Sequence, residues 1–191
     1  MDLLMKQEMG PLLALYPMPV TLVGSMVSGK PNYCPIAHVG IMNFGKPQYI
    51  SVGLHRSHHT NLGIRENQEF SVNLPSSDLV VATDHLGLVS GGKEDKSAVF
   101  RTHFGTLKNA PLIEECPVNM ECRLHQTLEI GSHEIFVGEV VQTHADPSVL
   151  SDGAIDIKRL DPLLFDMGSK GYWTVGDNVG RAWNIGKGFR R

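Results

Sequence analysis

Residues 117–145 constrain the fold most strongly. Val118, Met120, Cys122 and Leu124, continued by Leu128 and Ile130, alternate with Asn119, Glu121 and Arg123. A period of two sends the two sets to opposite faces of a pleated chain, so this segment reads as a long half-buried β-strand. Gly131-Ser132 interrupts it, and residues 135–141 return as a second strand. A lone hairpin is marginal in water, so this one must join a larger sheet. Three further segments supply it. Residues 49–54 carry Ile50, Val52 and Leu54 on one face. Phe70, Val72 and Leu74 alternate before Pro75. An apolar run over 20–27 ends at the turn Ser28-Gly29-Lys30-Pro31.

Two helices interrupt the strands. Residues 60–67 form a short one with Thr60 as its expected cap, and Ser77 or Asp78 is expected to cap a second through Leu79, Val80, Ala82 and Leu86. Residues 91–96, Gly-Gly-Lys-Glu-Asp-Lys, read as a charged solvated loop, and the last 30 or so residues are Gly-rich and weakly patterned. With 20 Gly and 11 Pro in 191 residues and no internal repeat, the expectation is a single domain over 1–191. Its fold class is mainly β: a closed antiparallel barrel with a few helical insertions.

Composition narrows the function. Lys plus Arg number 17 against 20 Asp plus Glu, which argues against nucleic acid as a partner. No apolar stretch approaches the roughly 18 residues of a membrane span, and the N-terminus lacks the pattern of a secretory signal. The three cysteines, Cys34, Cys116 and Cys122, are odd in number and form no Cys-x-x-Cys, so neither a disulfide framework nor a zinc ribbon is expected. These features predict a cytoplasmic protein with reduced thiols. Two P-loop-like stretches, 24–30 and 87–93, fail on context. Pro31 and Glu94 stand where the magnesium-binding hydroxyl belongs, and neither stretch runs from a strand into a helix. His55, His58 and His59 lack the spacing of a helical metal pair, and no metal site is expected. No Gly-x-Ser-x-Gly elbow supports a hydrolase.

The segment His55-Arg56-Ser57-His58-His59-Thr60 points to an anion instead. It lies between a strand and a helix start, where free amides, two hydroxyls and a guanidinium suit a phosphate. An ordinary capped helix explains the same residues equally well.

The ordered set of segments resembles the flavin reductase-like FMN-binding split barrels, flavoredoxin branch, over roughly residues 9–175. It comprises Pro31-Asn32 with Ala37-His38, Ser57-x-x-Thr60, residues 70–75 (Phe-Ser-Val-Asn-Leu-Pro), Val89-Ser90-Gly91 with Asp95-Lys96, and residues 110–118. Gly131-Ser132-His133, Phe136-x-Gly138-Glu139-Val140 and Leu160-Asp161-Pro162-Leu163 complete it. The resemblance implies a Greek-key split barrel that binds FMN at a homodimer interface. It implies that Ser57 and Thr60 hold the phosphate, with Arg56 for its charge, and that His59, Ser90 and Gly91 are among the cofactor-binding residues. Asn32, Ala37 and His38 would run past the ring, and Asn73, Lys96 and His133 would be polar neighbours of the flavin. Phe165 and Tyr172 would approach from the C-terminal segment. His55 stands where the family tends to carry Arg, and His38 where several relatives carry Trp.

The activity so implied is flavin-dependent oxidoreduction with no protein acid or base, since the cofactor carries the chemistry. Lys96 or His133, if charged, would favour the reduced ring. The electron donor is either NAD(P)H or a redox partner protein. Within the same fold, a non-catalytic flavin-binding module and an NAD(P)H:FMN oxidoreductase using flavin as substrate remain alternatives.

Overall fold

The computed structural model describes residues 6–190. Its centre is a seven-stranded antiparallel sheet. Strands β1 (Thr21–Val27) and β2 (Lys30–Ile36) form a hairpin whose turn residues, Ser28 and Gly29, have φ of 50° and 77°. Two left-handed residues give the turn the twist that a tight hairpin needs. Strands β3 (Val39–Asn43) and β4 (Tyr49–His55) follow, then helix α1 (Thr60–Asn67), β5 (Glu69–Leu74) and helix α2 (Val80–Leu88). The expected long hairpin is β6 (Val118–Ile130) with β7 (His133–Ala145), turning at Gly131 with φ 55°. In space the order is β2-β1-β5-β6-β7-β4-β3. The chain is thus mainly β with a few helices, as expected.

The expected closure is not found. Among the described residues β2 and β3, neighbours in sequence, lie at opposite ends of the sheet order and share no strand pairing. The two-residue link between them explains this. Val39 N donates to Ala37 O at 3.0 Å, and Gly53 N donates to His38 O at 2.7 Å, so the link is captured by β4. β2 also carries Pro31 and Pro35, which lack N–H groups and suit a strand at a sheet edge. The link therefore runs along a split between two edges.

One core fills the inner side of the sheet. Val23, Val52, Leu54, Ile64, Phe70, Val72, Cys122 and Phe136 are its fully buried members. α1 brings Ile64 into it and lies so close to β1 that a Cβ on Gly63 would stand 2.3 Å from Met26 O. A second cluster, Leu22, Tyr33, Leu86, Phe100, Ile113 and Cys116, packs α2 and the chain after it against β1 and β2. The alternation along β6 does not carry through to burial. Leu128 and Ile130 are exposed, whereas Asn119 and Glu121, on the expected polar face, are buried. Glu121 is enclosed because its carboxylate accepts from Thr106 N, Leu107 N and His144 Nε2 at 3.0, 2.5 and 2.7 Å.

Neither expected cap forms. His59, not Thr60, precedes α1 and makes no side-chain cap. The residues Ser77–Leu79 form a 3₁₀ turn ahead of α2, and Ser77 Oγ donates to the Asp161 carboxylate. A small second sheet joins Met18–Pro19 to β8 (Leu164–Asp166) and β9 (Gly171–Trp173), drawing the C-terminal segment across the mouth of the split.

Candidate functional site

The split opens into two adjoining compartments that share Pro35 and His58. The first has a volume of about 220 Å³ and is largely apolar. The β2–β3 link supplies Ala37 and His38, β7 supplies His133 at its first residue, and β8 and β9 supply Phe165 and Tyr172. The Phe165 and Tyr172 rings lie 5.7 Å apart. Tyr172 Oη donates to Asp84 Oδ1 at 2.8 Å, which fastens this wall to α2. Burial first, then the Asp84 charge, pushes the Tyr172 phenol up to about 12.

The second compartment has a volume of about 240 Å³ and is polar. Ser57, His59 and Thr60 come from the start of α1, Ser90 and Gly91 from the loop after α2, and Asn32 from β2. Asn32 Nδ2 donates to Thr60 Oγ1 at 2.7 Å. The Thr60 hydroxyl is thereby fixed as an acceptor, leaving its own proton to donate. Gly91 lies so close to Asn32 that a Cβ there would fall 1.9 Å from Asn32 Oδ1.

Lys96 is buried, although a lysine in a charged loop is ordinarily solvated. Its Nζ donates to Leu86 O at 2.6 Å and to Tyr33 O at 3.4 Å, near the end of α2. An ammonium has three protons, so one remains for the compartment. Desolvation pulls the Lys96 pKa below the ordinary lysine value, while Cys34 and Glu94 act the other way. Cys34 shares this wall, and its burial raises the thiol to about 11, with Lys96 opposing. Lys96 therefore belongs to the polar compartment and His133 to the apolar one.

The two compartments do not gather all the expected residues. Arg56 turns outward and pairs with Glu129 at 2.9 Å, each exposed. Asn73 lies in the sheet interior, where its amide bonds Leu22 O, Ser71 Oγ, Ile113 N and Asn119 Nδ2. With donors and acceptor all engaged, it has nothing left for a ligand. His55 stands behind the wall, with Nδ1 2.8 Å from Ser57 Oγ.

His58 has a place at the candidate site that the family resemblance does not assign to it. It borders both compartments, and its Nδ1 is buried without a hydrogen-bond partner among the described residues. A chain of imidazoles leads to it: His38 to His133 at 5.5 Å, His133 to His55 at 5.4 Å, His55 to His58 at 6.2 Å. Desolvation, then the neighbouring His55, Lys96 and His133, lowers the pKa of His58. Desolvation, then His38 and His55, does the same for His133. Only the density of histidine over 55–59 signalled this cluster in the sequence.

The family model described as flavin reductase like domain matches residues 13–174. The crystal structure of a flavoredoxin from Methanosarcina acetivorans is 45% identical, with a TM-score of 0.93, covering 96% of this chain and 98% of that one. A flavoredoxin of Desulfovibrio vulgaris (Miyazaki F) is 33% identical, with a TM-score of 0.89, covering 96% and 100%. An uncharacterized protein of Archaeoglobus fulgidus is 35% identical over 75% of this chain and 80% of its own length.

Proposed function

The chain belongs to the flavin reductase-like domain family, and on that premise we propose that it is a redox protein whose split holds FMN. The observation that carries this reading is the pairing of an apolar compartment with a polar one at a helix start, joined at His58. FMN is a flat, mostly apolar ring system with a phosphate at the end of a polar chain, so it has the same division. The two flavoredoxins named above agree with it.

The residues present fit the group. Gly91 leaves room beside Asn32 that a side chain would fill, and the unpartnered His58 Nδ1 lies in the shared wall. Ser57, the Thr60 hydroxyl proton and the remaining Lys96 proton would hold the phosphate, assisted by the amides at the start of α1. Lys96 takes over the charge compensation first sought in Arg56. Ala37, His38, His133, Phe165 and Tyr172 would enclose the ring and exclude water. When bound, FMN supplies hydride or electron transfer; the protein supplies orientation and electrostatics. The donor is NAD(P)H or a partner protein, and the working unit is a homodimer.

The experiment is a pair of titrations with FMN and riboflavin, comparing the wild type with Ser57→Ala/Thr60→Ala. Charge-assisted hydrogen bonds contribute about 1.5–3 kcal/mol each, so FMN affinity should fall at least about tenfold while riboflavin is little changed. Equal weakening of both flavins refutes the phosphate assignment, and absence of FMN binding refutes the function. Flavin bleaching on anaerobic mixing with NADH and NADPH tests the oxidoreductase activity and its donor.

A further inference from the structure

Ser57 borders the polar compartment, yet both of its donors are already engaged. Ser57 N donates to His55 Nδ1 at 3.2 Å, and Ser57 Oγ lies 2.8 Å from the same nitrogen. An amide N–H donates only to a lone pair, so Nδ1 carries no proton and the ring is the neutral Nε2–H tautomer. The hydroxyl then donates to Nδ1 as well, and Ser57 turns lone pairs rather than a proton toward an anion. Thr60 differs. Asn32 Nδ2 fixes its oxygen as an acceptor at 2.7 Å, so the Thr60 proton is free whatever the state of His55. The backbone holds His55 and Ser57 in this relation. His55 ends β4 and pairs with His133. Arg56 N donates to Ser132 O and His58 N to His55 O, each at 2.9 Å, and Asn61 Nδ2 donates to His55 O at 3.2 Å. His55 is exposed, so it exchanges protons with water.

We propose that His55 is a positioning residue that takes up one proton as the phosphate of FMN binds, and thereby makes Ser57 a donor to that phosphate. The inference rests on the FMN reading above and adds a proton to its binding equilibrium. Protonated Nδ1 donates to Ser57 Oγ. The serine proton and the Ser57 amide are released toward the compartment, and the imidazolium adds a positive charge behind them. The balance is apoprotein, FMN and one proton from water on one side, and the complex with cationic His55 on the other. The groups around His55 come from three elements. His133 from β7 and His58 ahead of α1 stand 5.4 and 6.2 Å away, and His38 lies 5.5 Å beyond His133. Burial, then neighbouring basic groups, holds His58 and His133 below the ordinary imidazole value, so these two resist the proton. The carboxylates on the adjoining strands, Glu129 and Glu134, are each paired with an arginine, Arg56 at 2.9 Å and Arg65 at 2.8 Å. Lys96 and His59 border the same compartment and are the competing proton acceptors.

The experiment counts protons. FMN and riboflavin are titrated into the apoprotein by calorimetry at pH 7.5, in buffers of different ionisation enthalpy. At that pH a free phosphate monoester is already mostly dianionic, its second pKa being about 6. With FMN the wild type is expected to take up about 0.3–1 proton beyond any uptake with riboflavin, and FMN affinity should fall by up to about tenfold per pH unit as pH rises. His55→Asn keeps a polar group beside Ser57 but binds no proton. It should abolish the extra uptake and flatten the pH profile of FMN, while riboflavin binds as before and reports that the fold is intact. Ser57→Ala removes the hydroxyl and should reduce the uptake with His55 still present. No extra uptake by the wild type overturns the proposal. Equal uptake in His55→Asn does so too, and assigns the proton to Lys96 or His59. Undiminished uptake in Ser57→Ala overturns the link through the hydroxyl, and weaker FMN binding in His55→Asn with an unchanged pH profile makes His55 merely structural. If FMN fails to bind at all, the proposed function falls instead; FMN bound without proton uptake sinks this inference alone.

Discussion

His133 and Lys96 look alike as isolated residues, each a basic group near a turn, yet the fold assigns them to different compartments. His133 alone borders the apolar one. Desolvation and its neighbours His38 and His55 lower its pKa, so at neutral pH it is mainly uncharged. Its cation forms only as pH falls through that lowered value. Its effect on the reduced ring should therefore appear in acid and vanish in base. A charge interaction of about 1–2 kcal/mol corresponds to roughly 20–45 mV for a two-electron couple. Spectroelectrochemistry of His133→Ala should show a midpoint potential lower than wild type by about that amount at pH 5 and unchanged at pH 9. Gly91 gives a second residue-scale test. In Gly91→Ala the new methyl collides with Asn32 Oδ1 and displaces Asn32 from Thr60. Losing that buried hydrogen bond should weaken FMN by about 5- to 100-fold in a fluorescence titration. The types of these residues were legible in the sequence, but their surroundings were not. A lysine in a charged loop carries no local sign that carbonyls 10 and 63 positions away will enclose it. The position of His58 was not legible either, because a shared wall between two compartments has no sequence period.

At the scale of elements, legibility follows the strength of the period. β6 and β7 were readable as one hairpin because alternation and a Gly turn agree. β2 was not readable from its own residues, since two prolines argue against a strand unless it lies at an edge. The bounds of α1 were readable, but its close seat on β1 was not, since Gly63 reads only as a weak helix former. Gly63→Ala should gain about 1 kcal/mol of helix propensity. The methyl would meet Met26 O, Ser25 Oγ and Val27 Cγ2 within 3 Å, and overpacking of this kind costs about 1–3 kcal/mol. A net loss of up to about 2 kcal/mol should lower the melting temperature by up to about 8 °C, read by calorimetry. Glu121 fastens the loop over 105–107 to β6. Its burial opposes ionisation, yet the bonds from His144, Leu107 and Thr106 outweigh that and hold the carboxyl below its ordinary range. A depressed carboxylate pKa stabilises the fold fully above the unfolded value, about 4.3, and loses that contribution as pH falls through the folded value. Glu121→Gln should therefore cost about 3 kcal/mol at pH 7, and the urea midpoints of variant and wild type should draw together as pH falls below the ordinary carboxylate range.

For the whole molecule, the apolar residues that stay in water matter most. β3 is an edge strand, and Ile41, Met42 and Phe44 are 76%, 58% and 85% exposed. The tail adds Val179, Trp183, Ile185 and Phe189, also exposed. An unpaired edge with apolar side chains is a template for association unless it is covered, and single chains seldom leave patches of this kind in water. The same edge borders the split, because β3 begins directly after the His38 link. A second copy seated there would cover the edge and close the mouth of the apolar compartment together. We expect a twofold pair, with each chain burying on the order of 800 Å², the size of an ordinary stable interface. Ile41→Asp/Phe44→Asp places two charges on that face without touching any residue that lines the compartments. Sedimentation velocity should show the wild type as a dimer at micromolar concentration and the variant as a monomer. FMN should bind the variant more weakly, because one side of the apolar compartment is then open to water. A wild type that sediments as a monomer while binding FMN tightly would show that the split is complete within one chain. A dimeric variant would place the interface elsewhere, with the exposed tail the next surface to alter.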